Sequence, residues 1–144
     1  RRISEIYMYG MFEDCLLFNA NLSQWTTTSS LKQVQRMFNG TRAFHSNLDA
    51  NPSANIQVNG QSYGTWDVSG VEYFTKFIVQ SSAGKFNGTL NNWDVSSTER
   101  LYLLLQSPLF QNGRLCTWKN VDHIKSFTLN GVSRFVYPYL LNNT

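Results

Sequence analysis

The chain has 144 residues, 42% hydrophobic and 15% aromatic, which is enough apolar material for one packed domain and excludes a disordered segment. Charged residues make up only 15%, the net charge is +3 and the longest basic run is Arg1-Arg2, so the footprint of a nucleic-acid binder is missing. No apolar run approaches the ~18 residues of a membrane-spanning helix, so no transmembrane segment is expected.

The opening residues 1–10, RRISEIYMYG, carry neither an initiator Met nor a signal peptide. With Ile3, Ile6, Tyr7 and Met8 they read as a partial first coil, the tail of a preceding repeat. A unit then recurs along the chain. Phe18, Leu22 and Trp25 have the spacing F-x3-L-x2-W, and Phe86, Leu90 and Trp93 have it again. Phe44 and Leu48 give its first half, which Trp66 completes after an insertion at 49–65. Phe110, Leu115 and Trp118 form a fourth copy with one residue added. The tryptophans are separated by 41, 27 and 25 residues, and without the insertion the first gap falls to about 25. This is a tandem repeat. The units run over about 11–36, 37–76, 77–103 and 104–127, and 128–144 is a C-terminal cap or docking segment of the same single domain, 1–144.

W-D-V-S alternates apolar and polar residues, which predicts a short strand with Trp66 and Val68, or Trp93 and Val95, facing inward. From Val71 or Leu101 to the next M-F or F-I pair, apolar residues are spaced by three and four, which predicts a helical turn. Phe44 or Phe86 then opens a return loop rich in Asn, Gly and Ser. Burying a Trp or Phe contributes about 1.5–3 kcal/mol, whereas ordering each backbone residue costs about 1–2 kcal/mol. One unit therefore does not fold alone. The expected fold is an α/β repeat solenoid of about four coils, each a short parallel strand plus a helical turn. A WD-type propeller, suggested by two Trp-Asp pairs, needs about 40 residues per blade and does not fit the spacing.

The pattern M-F-x-x-A-x-x-F-N-x-x-L-x-x-W-D-V-S-x-V resembles the BspA-like leucine-rich repeats, first described as a Mycoplasma lipoprotein domain of unknown function. Ala83, Phe86, Asn87, Leu90, Trp93, Asp94, Val95 and Ser96 carry it best. It weakens at Lys119 and Asn120, which replace Asp-Val in the fourth copy. The resemblance covers about residues 3–127. It implies a leucine-rich-repeat-like solenoid for surface display or protein contact, with no catalytic residues.

The residues themselves suggest little chemistry. His45 and His123, the only histidines, fall in repeats two and four and form no pair. Asp67 and Asp94 are equivalent residues on neighbouring coils, about 5 Å apart by strand spacing. Paired carboxylates suit acid–base work or cation binding, but bonding to local backbone amides explains a pair that recurs with the repeat. Neither catalytic nor metal-binding residues are assigned, no cofactor is expected, and the chain is read as a non-enzyme. Cys15, at the place of Ala43 and Ala83, is expected to be a small buried residue. About three rungs separate it from Cys116, roughly 15 Å, which exceeds the ~7 Å disulfide limit. Two free thiols argue against an oxidising compartment. Four sequons argue for one: Asn21, Asn39, Asn87 and Asn142, with Asn39 the best candidate for a glycan.

The insertion (Asn55, Gln57, Asn59 and Tyr63) and the tail (Tyr137 and Tyr139) are the candidate partner-binding residues. The structural core is expected at Phe18, Leu22, Trp25, Phe44, Leu48, Trp66, Val68, Phe86, Leu90, Trp93, Val95, Phe110, Leu115 and Trp118. The expected function is a structural or protein-interaction module working through its strand face, insertion loop or ends, with a protein partner or a larger assembly. The alternative is a cell-surface adhesive module that binds glycans. Wholly buried tryptophans would favour the first, and an exposed aromatic strip the second. The expected location is secreted or cell-surface, or else an organelle lumen.

Overall fold

A computed structural model describes residues 5–50, 57–58, 61–62, 64–110, 117–124, 126–129 and 132–135. Its core is built on stacked rings. Phe18, Phe44, Phe86 and Phe110 form one column, with centroids 5.8, 5.9 and 5.9 Å apart. Trp25 lies over Trp66 at 6.1 Å, and Trp93 over Trp118 at 5.3 Å. Each buried indole also ties its coil to the one before. Trp66 Nε1 donates to Leu22 O (2.9 Å), Trp93 Nε1 to Leu48 O (2.7 Å) and Trp118 Nε1 to Leu90 O (2.6 Å). The recurring Leu and Trp are thus acceptor and donor of one inter-coil bond, which gives each buried indole N–H its partner. Leu22, Phe44, Leu48, Trp66, Val68, Phe86, Leu90, Trp93, Val95, Phe110 and Trp118 are all buried. Phe18 and Trp25, on the first coil, are only partly covered. Leu115 lies outside the described residues.

The strands are short. β1 (Ile6–Tyr7) pairs in parallel with β2 (Leu31–Gln33). β3 (Gln57–Val58) and β4 (Gln61–Ser62) make an antiparallel hairpin inside the 49–65 insertion. β5 (Ile78–Val79), β6 (Leu101–Gln106) and β7 (Ser126–Leu129) run side by side in parallel, and β8 (Val132–Phe135) folds back antiparallel on β7. Single parallel bridges from Gln33 to Tyr73 and from Tyr73 to Arg100 carry the pairing from β2 into the later coils. Gly70 marks where coils approach most closely: a Cβ there would meet Ser29 O at 1.9 Å.

The expected α/β solenoid with helical turns does not form, because the described residues contain no helix. The stretch 34–41 shows why. Val34, Arg36, Phe38 and Gly40 donate their amides to Tyr73, Thr75, Phe77 and Val79 on the next coil, at 3.3, 3.0, 2.8 and 2.7 Å. The alternate amides of Met37, Asn39 and Thr41 bond back three residues, to Val34, Arg36 and Phe38. An α-helix would instead bond every amide four residues back. Backbone at φ near +60° breaks helical geometry at Gly10, Arg36 and Lys76, and at Leu103 (φ 51°). Consecutive three-residue turns repeat their apolar positions every three or four residues, as a helix does. The strand-plus-helix coil that the leucine-rich-repeat resemblance implied is therefore not what the described residues adopt.

Candidate functional site

The edge-to-edge pairing of successive coils lines up Tyr7, Gln33, Tyr73 and Arg100, one residue from each of four coils. Inward positions of these coils are filled by Leu31, Val71, Phe74 and Leu101, all buried. Their neighbours are left outside, and Tyr7, Tyr9, Tyr73 and Tyr102 are each at least half exposed. Tyr73 and Tyr102, with Glu72, Thr75, Glu99 and Arg100, line a cleft of about 480 Å³. The one ion pair among the described residues joins Arg36 to Glu13, outside this cleft. Tyr7 donates to Glu5, and that bond, with burial and the charges of Glu5 and Glu72, raises its phenol pKa. The face is aromatic, hydrogen-bonding and mixed in charge.

The two aspartates line a second, shallower cleft of about 250 Å³ with Lys119. Asp67 Oδ1 accepts from the amide and hydroxyl of Ser69 at 2.9 and 2.6 Å. Asp94 Oδ1 accepts from the Ser96 amide at 3.0 Å and from Asn120 Nδ2 at 2.9 Å. Burial pushes the Asp94 carboxyl up. Hydrogen bonds from Asn120 and Ser96, with the charge of Lys119, outweigh burial and hold its pKa below the ordinary value. Both side chains are engaged in closing their D-x-S turns.

His45 lies with Asn19, Asn21 and Asn87 around a third cleft, its Nδ1 3.1 Å from Ala43 O. His123 belongs elsewhere, with Nε2 2.6 Å from Thr98 O. Among the described residues no three His, Cys, Asp or Glu side chains group as metal ligands. Cys15 is exposed, against the expectation of a buried thiol, because its turn lies at the rim of the first coil. Cys116 lies outside the described residues. Asn39, the favoured sequon, donates Nδ2 to Glu13 at 2.8 Å. Asn21 and Asn87 are exposed. Asn142 lies outside the described residues, as do Asn55, Asn59, Tyr63, Tyr137, Tyr139 and the side chain of Gln57. The structure thus brings together a face that the sequence reading did not assign: Tyr7, Tyr9, Tyr73 and Tyr102, with Glu72, Glu99 and Arg100. Its signal was a tyrosine beside each inward apolar residue in V-E-Y-F and R-L-Y-L. The helical assignment of those stretches hid it.

Residues 4–59 and 53–131 match the model of the family described as "Mycoplasma protein of unknown function, DUF285". The chain belongs to that family. No curated protein and no solved structure matches it. No helix of the described residues is long and apolar enough to cross a membrane.

Proposed function

We propose that this DUF285 member is a non-catalytic binding module whose tyrosine face engages a protein partner. The observation that carries this reading is the exposure of Tyr7, Tyr9, Tyr73 and Tyr102 on coils bonded to one another through their backbones. Tyrosine and arginine are the side chains over-represented where binding energy concentrates. Tyrosine also loses little conformational entropy when it is immobilised, and a face held by inter-coil bonds needs little ordering on binding. Buried Trp66, Trp93 and Trp118 leave the tyrosines to provide the aromatic contact.

One observation favours a second reading. Tyr73 and Tyr102 share their cleft with Glu72, Glu99 and Arg100, and rings flanked by hydrogen-bonding groups also suit a sugar. The surface display that accompanies the BspA-like resemblance fits both readings, and the exposed sequon residues Asn21 and Asn87 support a secretory route.

The test compares the immobilised chain with a Tyr73→Ser/Tyr102→Ser variant, against source-cell proteins and against a glycan array. The variant should lose a protein that the native chain retains, with affinity for it down at least about tenfold. Equal retention by both chains would refute the protein reading. A glycan bound by the native chain and lost by the variant would install the second reading.

A further inference from the structure

The ladder between coils has a direction. In the turn ribbons, at 8–14 and 34–40, the interface is made in one sense, with amides of one coil donating to carbonyls of the next. Single bonds elsewhere, such as Glu72 N to Lys32 O and Lys85 N to Arg42 O, run back. Met8, Gly10, Phe12 and Asp14 donate to Gln33, Gln35, Met37 and Asn39 at 2.8–2.9 Å, and the second coil repeats this toward the third. Along this ribbon each coil therefore accepts on one side and donates on the other. On the accepting side of the first coil, the carbonyls of Tyr7, Tyr9, Met11 and Glu13 stand where those of Gln33, Gln35, Met37 and Asn39 stand in the second. Among the described residues nothing donates to them.

The side chains agree. Met11 is 51% exposed, whereas its counterpart Met37 is fully buried. Phe12, Phe18 and Trp25 are partly covered, while Phe38, Phe44 and Trp66 are fully buried. These are like residues at like positions, and the difference is whether a coil lies on their outer side. Ile6, Tyr7, Tyr9, Met11, Leu16 and Leu17 gather most of the exposed large apolar surface on this first coil. The far end is finished differently, with β8 paired antiparallel to β7.

We infer that this open end is a docking site for the donating side of a further coil of the same repeat. The occupant brings alternate free amides, spaced two residues apart, to Tyr7, Tyr9, Met11 and Glu13, and extends the Phe and Trp columns by one rung. Continuity with the internal interfaces selects this occupant. A second copy brought open end to open end does not fit, because the amides of Met11 and Glu13 are already bonded to Met8 and Gly10. Such a pair would set carbonyl against carbonyl there.

The probe is a synthetic peptide of residues 27–50, the second coil, titrated into the full chain by fluorescence anisotropy. A control peptide is N-methylated at Val34, Arg36, Phe38 and Gly40, which removes the donors and keeps the side chains. The unmodified peptide should bind, and the methylated one should bind at least about 30-fold more weakly. Met11→Asp in the chain should weaken binding by a similar factor. Tyr73→Ser/Tyr102→Ser should leave it unchanged, which separates this site from the cleft of Tyr73 and Tyr102. Absence of binding by the unmodified peptide, or equal binding by both peptides, would overturn the inference. So would a dimer in sedimentation that Met11→Asp abolishes.

Discussion

Gln80 shows how much one side chain can hold in this molecule. It is buried, and its amide nitrogen donates to Thr41 O at 2.6 Å and Phe44 O at 3.0 Å. Its oxygen accepts from the Phe86 amide and from Ser107 Oγ, both at 2.9 Å. Three coils meet at this one amide group. Gln80→Leu keeps the volume and removes the bonds to the Thr41 and Phe44 carbonyls and the Phe86 amide, so chemical denaturation should show a loss of about 2–4 kcal/mol. Carboxylates behave differently, because they titrate. Hydrogen bonds from Asn39 and Arg36 hold Glu13 below its ordinary pKa, and Asp94 is held low by the bonds described above. A carboxyl depressed in the folded state stabilises fully above its unfolded pKa, about 4, and loses that contribution as pH falls through the folded value. The melting temperature should therefore drop on acidification below about pH 4. A Glu13→Gln/Asp94→Asn variant should show a shallower drop over the same range, and an unchanged slope would contradict the assignment.

At the scale of the element, the turn ribbon between strands is where sequence reading and structure part. The F-L-W phrase could be read directly, because the side chains that stack recur at a fixed spacing and end up buried. The segment after W-D-V-S could not, since three-residue turns and an α-helix place apolar residues at the same intervals. What separates them is positive φ within the ribbon, at Gly10, Arg36, Lys76 and Leu103, and of these four only the first is glycine. Arg36, Lys76 and Leu103 occupy that backbone without the glycine that would have announced it. Misreading the segment also concealed the tyrosine face. Lys76 gives a test whose sign depends on the answer. In this left-handed turn (φ 57°) Lys76→Gly should stabilise the chain by about 0.5–1 kcal/mol. In a helix the same change would cost about 1 kcal/mol. Thermal melts of the two proteins decide between them.

Over the whole molecule, stability and binding both follow from directional stacking. Among the described residues, successive coils share backbone hydrogen bonds and stacked rings, so each depends on its neighbours and the first coil differs from those that follow. The recurrence of the tryptophans that stack, Trp25 on Trp66 and Trp93 on Trp118, was legible in the sequence. The polarity of the ladder was not, because it resides in backbone amides and carbonyls that every residue carries alike. The central claim is that amides in the 34–40 stretch bond to a coil about forty residues away along the chain rather than within a helix. NMR scalar couplings across hydrogen bonds test it most directly. The account predicts correlations from the Arg36 nitrogen to the Thr75 carbonyl carbon and from the Phe38 nitrogen to the Phe77 carbonyl carbon. A correlation from the Phe38 nitrogen to the Val34 carbonyl carbon, the helical partner four residues back, would contradict it.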